Sequence, residues 1–230
     1  MRVTRVKKFY TFPINSFIIP CRRLLMNVLA IGAHPDDIEF GCGGTLLQYA
    51  GAGHTVYLCI ATDGSFGGDP QVRLSEQKEA AKFLGAKEVF WGMYRDTELV
   101  DSRELIHKID GIIQQVNPQI VFLNYKDDIH QDHRALSEAG ISATRYVPEV
   151  LFYEVPSTQH FEPDIFVDIQ SVLDKKLKLL KLHASQVDRT KVQNLTILES
   201  VQSCANFRGY QGRVRYAEGF KALRVLREIA

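Results

Sequence analysis

The chain has 230 residues, of which 45% are hydrophobic and 24% are charged, and its 28 basic and 27 acidic side chains leave a net charge of +1. This composition excludes a disordered chain and supplies enough apolar side chains for the core of one domain. No basic stripe runs along any segment, which argues against a nucleic-acid partner, so we expect a small-molecule partner.

The first 26 residues stand apart from the pattern that follows. A basic start leads into an apolar stretch that Pro13 and Pro20 interrupt, and no A-x-A cleavage site follows it. The stretch is too short for a stable membrane span, and a secretory leader and a non-native or upstream-translated extension both stay open. Because Met26 directly precedes the first strand-like segment, we predict an extension over residues 1–26 and a domain over residues 27–230.

The four cysteines are widely separated, at Cys21, Cys42, Cys59 and Cys204, and they form no C-x-x-C pair. This spacing is typical of neither a zinc ribbon nor a disulfide scaffold. We therefore expect reduced thiols and a cytoplasmic location.

A βαβ unit opens the predicted domain. The continuous apolar run Asn27–Ala33 is typical of a central parallel strand that is covered on both faces. A short helix that ends at Gly51 or Gly53 then leads to a second strand over His54–Ala61.

Strands and helices continue to alternate along the rest of the chain. Further strands are predicted over 88–92, 119–125, 150–155 and 165–169, and further helices over 71–84, over 103–116, from about Asp132, and over 171–183. The final third is predicted to be mainly helical, up to the segment YAEGFKALRVL. The alternation predicts a single-domain α/β fold, a Rossmann-like three-layer sandwich with a mostly parallel central sheet.

Charged side chains gather directly after two of the predicted strands. One cluster, in AHPDDIEFGCGGT, contains His34, Asp36 and Asp37, and the other, in YKDDIHQDHRA, contains His130, Asp132 and His133. Because the carboxyl ends of parallel strands meet at one edge of a sheet, we expect the two clusters to converge. A catalytic zinc takes three protein ligands and keeps a fourth position for water. We predict one Zn²⁺ per chain, held by His34, Asp37 and His133.

The remaining members of the clusters are candidates for catalysis. Asp37 lies three residues after His34, so both can face the ion, whereas Asp36 stands beside it and can take a proton from the water. Asp132 can hold His130 in its protonated form, ready to donate a hydrogen bond to a developing oxyanion. We predict Asp36 as the general base, His130 as the oxyanion stabiliser and Asp132 as the residue that orients His130.

The two clusters carry a family resemblance. AHPDDIEFGCGGT and HQDHRA resemble the A-H-P-D-D and H-x-D-H signatures of the PIG-L/LmbE-like zinc-dependent N-deacetylases. The resemblance extends through nearly all of the chain after Met26, and includes HASQ at residues 183–186 and RGYQGRVRYAEGF near the end. It implies a hydrolase that removes acetyl from an N-acetylglucosamine-type amino sugar or its conjugate, with the ligands and the base named above. It also implies that Arg73 contacts the substrate and that the chain forms a homo-oligomer.

The chain departs from the commonest form of these signatures at two positions. Ile38 separates Asp37 from Glu39, and Gln131 stands where a proline is frequent. The role of Glu39 therefore stays open. We expect the residues of HASQ, His183 to Gln186, to end a helix and to support the site from behind.

Three alternative interpretations stay open. A single aspartate after the first strand can serve only to cap a helix. An amidase of a thiol-sugar conjugate would share every metal residue and differ in its pocket loops. A Rossmann-like metabolite- or nucleotide-binding module with a structural metal would use the glycines of GCGGT, with Asp63 as its ribose acid. That module lacks the G-x-G-x-x-G order, and Asp36 and Asp37 would repel a pyrophosphate.

Overall fold

The structure is a computed structural model that describes residues 25–226. The predicted extension, residues 1–26, therefore lies almost wholly outside the described residues. Within the described range the elements are β1 Asn27–Gly32, α1 Asp37–Gly41, α2 Gly43–Gly51, β2 Thr55–Thr62, α3 Pro70–Leu84, β3 Glu88–Tyr94, α4 Arg103–Val116, β4 Ile120–Asn124, α5 Gln131–Ala143, β5 Glu149–Tyr153, β6 Ile165–Asp168, α6 Leu173–Lys181, α7 Ile197–Gly212 and β7 Ala217–Arg224.

One mixed sheet organises these elements, with the strand order β3-β2-β1-β4-β5-β7-β6. The five strands from β3 to β5 pair in parallel, and β7 runs antiparallel to its neighbours β5 and β6. The first strand is central, and the predicted α/β sandwich with a mostly parallel sheet is confirmed.

The sequence of β1 explains its central place. Val28 and Ala30 pack into a hydrophobic layer with α2, α3 and α6, whereas Leu29 and Ile31 pack into the opposite layer with α4 and α5. All four side chains are fully buried. A strand that is covered on both faces needs an unbroken apolar run, which is the pattern seen in the sequence.

The prediction for the last segment is wrong in part. The preceding α7 is helical as predicted, but Ala217–Arg224 of YAEGFKALRVL forms β7. Alanine, glutamate, lysine and leucine favour a helix. Pairing with a strand on each side supplies backbone hydrogen bonds that outweigh this preference, and Phe220 packs on Phe122 with ring centroids 5.2 Å apart.

The described cysteines agree with the expectation of reduced thiols. Cys42, Cys59 and Cys204 are unpaired. Burial raises the pKa of Cys59 and that of Cys204 to about 12, so these thiols are poor nucleophiles. Within residues 25–226, no helix has both the length and the apolar character that crossing a bilayer requires.

Close backbone packing fixes the corner between α1 and α2. A Cβ atom on Gly41 would lie 2.1 Å from the ring of Tyr153, and one on Gly44 would lie 2.9 Å from the side chain of Ile169. Neither position has room for a side chain. The glycines of GCGGT therefore allow close approach of the backbone just after Asp37.

A buried ion pair supports the same corner. Glu218 of β7 accepts hydrogen bonds from the backbone N–H groups of Gly44 and Thr45 at 2.8 and 2.7 Å, in the first turn of α2, and it pairs with Lys176 of α6. Lys176 also donates to the carbonyl of Phe40 at 2.6 Å. The carboxylate thus meets both an ammonium group and the positive end of a helix.

We expect Lys176→Met to lower the free energy of unfolding by about 3–5 kcal/mol, because it leaves the buried carboxylate of Glu218 without its counter-charge. Chemical denaturation measures the loss. The matched control is Lys178→Met, an exposed position on the same helix, which we expect to change the free energy by less than about 0.5 kcal/mol. Equal losses in the two variants would contradict a supporting role for the pair.

Candidate active site

The two predicted clusters meet at the carboxyl edge of the sheet. His34 and Asp37 follow β1, and His133 lies in the first turn of α5, which follows the neighbouring strand β4. His34 Nδ1 lies 3.1 Å from His133 Nε2. Asp37 Oδ2 lies 3.6 Å from His34 Nδ1 and 3.3 Å from His133 Nε2. Three buried donor atoms therefore converge on one point.

The outer nitrogen of each histidine faces carboxylates. His34 Nε2 lies 3.0 Å from Asp96 Oδ1 and 3.2 Å from Asp132 Oδ2. His133 Nδ1 lies 3.1 Å from Asp128 Oδ2. A histidine that ligates a metal through one nitrogen typically donates the N–H of the other to a carboxylate. A metal that displaces the inner protons would then meet the lone pairs of His34 Nδ1 and His133 Nε2, which face each other.

The donor set fits a divalent cation. Around a tetrahedral zinc with bonds of about 2.0–2.1 Å, two donor atoms stand about 3.3 Å apart. The three distances among His34, Asp37 and His133 are 3.1, 3.3 and 3.6 Å. Two lone pairs and a carboxylate oxygen repel one another in a buried site unless a proton or a cation lies between them. Nitrogen and oxygen donors together suit Zn²⁺.

Two other sets of residues also bring possible ligand atoms within 4.8 Å of one another. The first set is His34, His130 and His133, and the second set is His34, Asp96 and Asp132. In the second set the carboxylates are already engaged, because Asp96 accepts the N–H of Phe66 at 2.9 Å and Asp132 accepts that of Thr97 at 2.7 Å. These carboxylates orient His34.

In the first set His130 replaces Asp37, yet the Asp37 oxygen is the atom within 3.6 Å of both inner nitrogens. The geometry favours Asp37 as the third ligand.

Burial and neighbouring charges shift the pKa values of His133 and Asp37 in opposite directions. Burial lowers the pKa of His133, but Asp37 and Asp128 raise it to about 9. Burial raises the pKa of Asp37, yet His133 and His34 hold it well below its usual range. Asp37 is therefore an ionised carboxylate over the physiological range of pH.

Asp36 sits in a strained backbone conformation at the start of α1. Its φ of 99° and ψ of −25° are rare for a residue with a side chain, and such conformations cost about 1–3 kcal/mol. Its carboxylate makes no capping hydrogen bond to α1, so the capping interpretation has no support. Burial raises the pKa of Asp36, Arg73 opposes that shift, and the neighbouring Asp37 adds to it. A raised pKa suits a group that takes and returns a proton.

Arg73 contacts both the carboxylate of Asp36 and the backbone around it. Its buried guanidinium lies 3.1 Å from the carboxylate of Asp36, and it donates to the carbonyl oxygens of Pro35 and of Gly64, the latter at 3.2 Å. A Cβ atom on Gly67 would lie 2.1 Å from Arg73 Nη1, so a side chain at this position would displace the guanidinium group. Arg73 also lines the open cavity described below, and its contact with a substrate stays a prediction.

The surroundings of His130 differ from the expected pairing with Asp132. The backbone N–H of Asp132, not its carboxylate, contacts His130, and it donates to His130 Nδ1 at 3.2 Å. Burial lowers the pKa of His130, and the charges of His34 and His133 lower it further. His130 is therefore a neutral ring whose proton lies on Nε2, rather than a protonated ring held by a carboxylate. It keeps one N–H to donate.

A second buried hydrogen-bond network lies behind Asp36, and Glu39 is part of it. Glu39 accepts a hydrogen bond from Gln77 Nε2 at 2.7 Å, and its other oxygen lies 3.5 Å from His183 Nε2. Gln77 in turn accepts the backbone N–H of Asp36 at 3.3 Å. Burial lowers the pKa of His183, but Glu39 raises it above its usual value. Ser185, also of HASQ, donates to Glu76 of α3.

Several polar residues of the site were not selected from the sequence, namely Asp96, Asp128, Ser157 and Gln77. Asp96 and Asp128 each follow a strand, β3 and β4, which is the signal that could have identified them. Ser157 lies 3.3 Å from His133 Nδ1 through its hydroxyl. By contrast Asp63, the candidate ribose acid, accepts the N–H groups of Ser65 and Asp96 and belongs to a turn.

An open cavity of about 410 Å³ leads from the surface to these residues. Its lining is largely polar and consists of His34, Asp36, Asp37, Phe66, Gly67, Arg73, Asp96, His130, His133, Ser157, Gln186 and Arg189. A mostly parallel α/β sheet whose carboxyl edge gathers two histidines and an aspartate beside such a cavity is typical of an enzyme active site, and these three side chains could hold a metal ion.

The comparison with known families agrees with this class. The PIG-L family, described as GlcNAc-PI de-N-acetylase, matches residues 29–144, which include both clusters. The chain belongs to the PIG-L family. It is accordingly an enzyme of the deacetylase type, a hydrolase of amide bonds.

Individual relatives cover most of the chain. It is 33% identical to the uncharacterized deacetylase YaiS of Escherichia coli, over 75% of this chain and 98% of that protein. It is 30% identical to diacetylchitobiose deacetylase of Thermococcus kodakarensis, over 84% of this chain and 82% of that protein. The solved structure of N,N'-diacetylchitobiose deacetylase from Pyrococcus horikoshii is 28% identical and has a TM-score of 0.77, over 86% of this chain and 84% of that one.

Asp128→Asn tests the support of His133. We expect the affinity for zinc to fall about 10- to 100-fold, because a neutral amide holds the Nδ1–H of His133 less strongly than a carboxylate does. Competition with a chelator of known affinity measures the change. The neighbouring Asp127→Asn is the matched control, since the half-exposed side chain of Asp127 pairs with the exposed His160. If both variants bind zinc as tightly as the wild type, Asp128 does not support the ligand.

Proposed function

We propose that this chain is a zinc-dependent N-deacetylase that releases acetate from an N-acetylglucosamine-type amino sugar or its conjugate. The observation that carries the proposal is the convergence of His34, Asp37 and His133 donor atoms within 3.1 to 3.6 Å, with Asp36 directly beside them in the chain. The names of two relatives, both diacetylchitobiose deacetylases, support the amino-sugar class of substrate.

His34, Asp37 and His133 would hold the ion. A zinc ion in such a site polarises a carbonyl oxygen and lowers the pKa of bound water toward about 7. The role of this chain's own residues is then to orient the amide and to move protons.

Asp36 is the residue that moves the proton. It takes a proton from water as the water oxygen bonds to the carbonyl carbon of the acetamide. It returns that proton to the amine nitrogen as the carbon–nitrogen bond breaks, which leaves the free amino sugar and acetic acid, and the acid then loses its remaining proton to solvent to give acetate. Arg73, at 3.1 Å, keeps the carboxylate in place between the two transfers.

His130 completes the site as a neutral donor. Its Nε2–H stabilises the carbonyl oxygen as negative charge develops there, a contribution of about 10²–10³ in rate for one such donor. Asp132 positions His130 through its backbone N–H and His34 through its carboxylate. At the rim of the open cavity, the exposed ring of Phe66 offers a face for a sugar ring. The homo-oligomer and the cytoplasmic location stay predictions from the sequence.

A substrate panel with parallel zinc analysis tests the proposed function. We expect about one zinc per chain and acetate release from N-acetylglucosamine, diacetylchitobiose or N-acetylglucosaminyl conjugates. A chelator should abolish the activity and zinc should restore it, and His133→Ala should lose both metal and activity. Full activity after complete removal of metal would overturn the proposal. Cleavage confined to a thiol-sugar conjugate would instead favour the related amidase.

Asp36→Asn separates the base from the ligands. We expect kcat to fall about 10²–10⁴-fold while zinc stays bound, because asparagine cannot accept the proton. Asp174→Asn, an exposed position on α6, is the control and should retain the wild-type rate. An Asp36→Asn enzyme with bound zinc and an undiminished kcat would remove Asp36 from the mechanism.

A further inference from the structure

A second, more enclosed cavity adjoins the open cavity, and we call it the side chamber. It has a volume of about 60 Å³ and shares three residues with the open cavity, Asp36, Asp37 and Gln186. The two cavities therefore meet at the carboxylates where the amide bond of a substrate must lie.

The wall of the side chamber is mostly apolar. Its apolar residues come from four parts of the chain, Phe40 of α1, Val155 and Pro156 after β5, Leu180 of α6 and Ile197 at the start of α7. Phe40, Val155 and Leu180 are among the buried residues of the hydrophobic core. The side chamber is thus a gap in the core that opens beside Asp36.

His183 adds a second observation that points to a ligand. It lines the side chamber, only 1% of its surface is exposed, and its Nδ1 has no hydrogen-bond partner among residues 25–226. A buried polar atom without a partner is unfavourable. A water molecule or a polar atom of a ligand in the side chamber would relieve that cost.

The two cavities match the two sides of an N-acyl amino sugar. The sugar carries hydroxyl groups, which suit the polar lining of the open cavity, including Asp96, Ser157 and Arg189. The acyl group on the other side of the amide is apolar, and each CH₂ group buried in an apolar cavity favours binding by about fourfold. With the sugar in the open cavity, the acyl chain would lie in the side chamber.

The size of the side chamber exceeds what acetyl needs. A methyl group is close in size to a water molecule, which needs about 10–15 Å³ of cavity volume. The volume of about 60 Å³ is at least four times larger. We propose, on the basis of the function proposed above, that the side chamber binds the acyl group and that the enzyme hydrolyses N-acyl amino sugars with chains of two to about four carbons.

The test compares N-acetyl-, N-propionyl- and N-butyrylglucosamine with the zinc-loaded full-length enzyme. We expect kcat/KM for the butyryl compound to lie within about tenfold of that for the acetyl compound. Ile197→Phe places a larger ring in the wall and should lower the butyryl-to-acetyl ratio of kcat/KM at least about tenfold. Val192→Phe, an exposed position on the preceding segment, is the matched control and should leave the ratio unchanged.

A binding measurement makes the outcome independent of turnover. In the Asp36→Asn protein, calorimetry should show butyrylglucosamine binding about 16-fold more tightly than acetylglucosamine, since it buries two more CH₂ groups. Ile197→Phe in that background should remove the difference. Hydrolysis of the acetyl compound alone, with equal affinities and an Ile197→Phe ratio like that of the wild type, would overturn the side-chamber proposal and leave the deacetylase intact. Failure to hydrolyse all three compounds would count against the deacetylase, and the affinities would still decide the side chamber.

Discussion

The structure depends on holding three electron-rich atoms together in a buried place. The inner nitrogens of His34 and His133 and one oxygen of Asp37 lie 3.1 to 3.6 Å apart, a distance at which they repel one another without positive charge between them. Carboxylates behind each ring fix its orientation and strengthen its inner nitrogen as a donor. The neighbouring strands β1 and β4 bring the two histidines together across one step of the sheet.

Contacts behind the site hold its backbone in place against the repulsion among the three donor atoms. Glu218 and Lys176 anchor the corner that follows Asp37, and Gln77 of α3 accepts the backbone N–H of Asp36 and donates to Glu39 of α1. These contacts are buried or partly buried, and each joins segments far apart in the sequence. A catalytic carboxylate works within a narrow range of positions, so this depth of support serves the geometry of the site as much as the stability of the fold.

The sequence predicts the fold and the converging clusters because both depend on local patterns. The apolar run of β1 specifies a strand buried on two faces, and charged residues directly after parallel strands must share one edge. The supporting residues are harder to predict. Asp127 and Asp128 are adjacent and chemically identical, yet the first is half-exposed beside His160 and the second is buried against His133. The strand at residues 217–224 also escapes prediction, since its helix-favouring composition is overridden by pairing with neighbours distant in the chain.

Asp36 has a positive φ that lowers the stability of the fold, and it also carries the carboxylate of the proposed base. Glycine adopts such a backbone without the clash that a Cβ atom brings, so a glycine here would relax the turn before α1. The same exchange would delete the carboxylate beside the metal ligands. Under the mechanism proposed above, selection for thermal stability alone would therefore favour inactive variants at this position, and stabilising substitutions have to lie elsewhere in the fold.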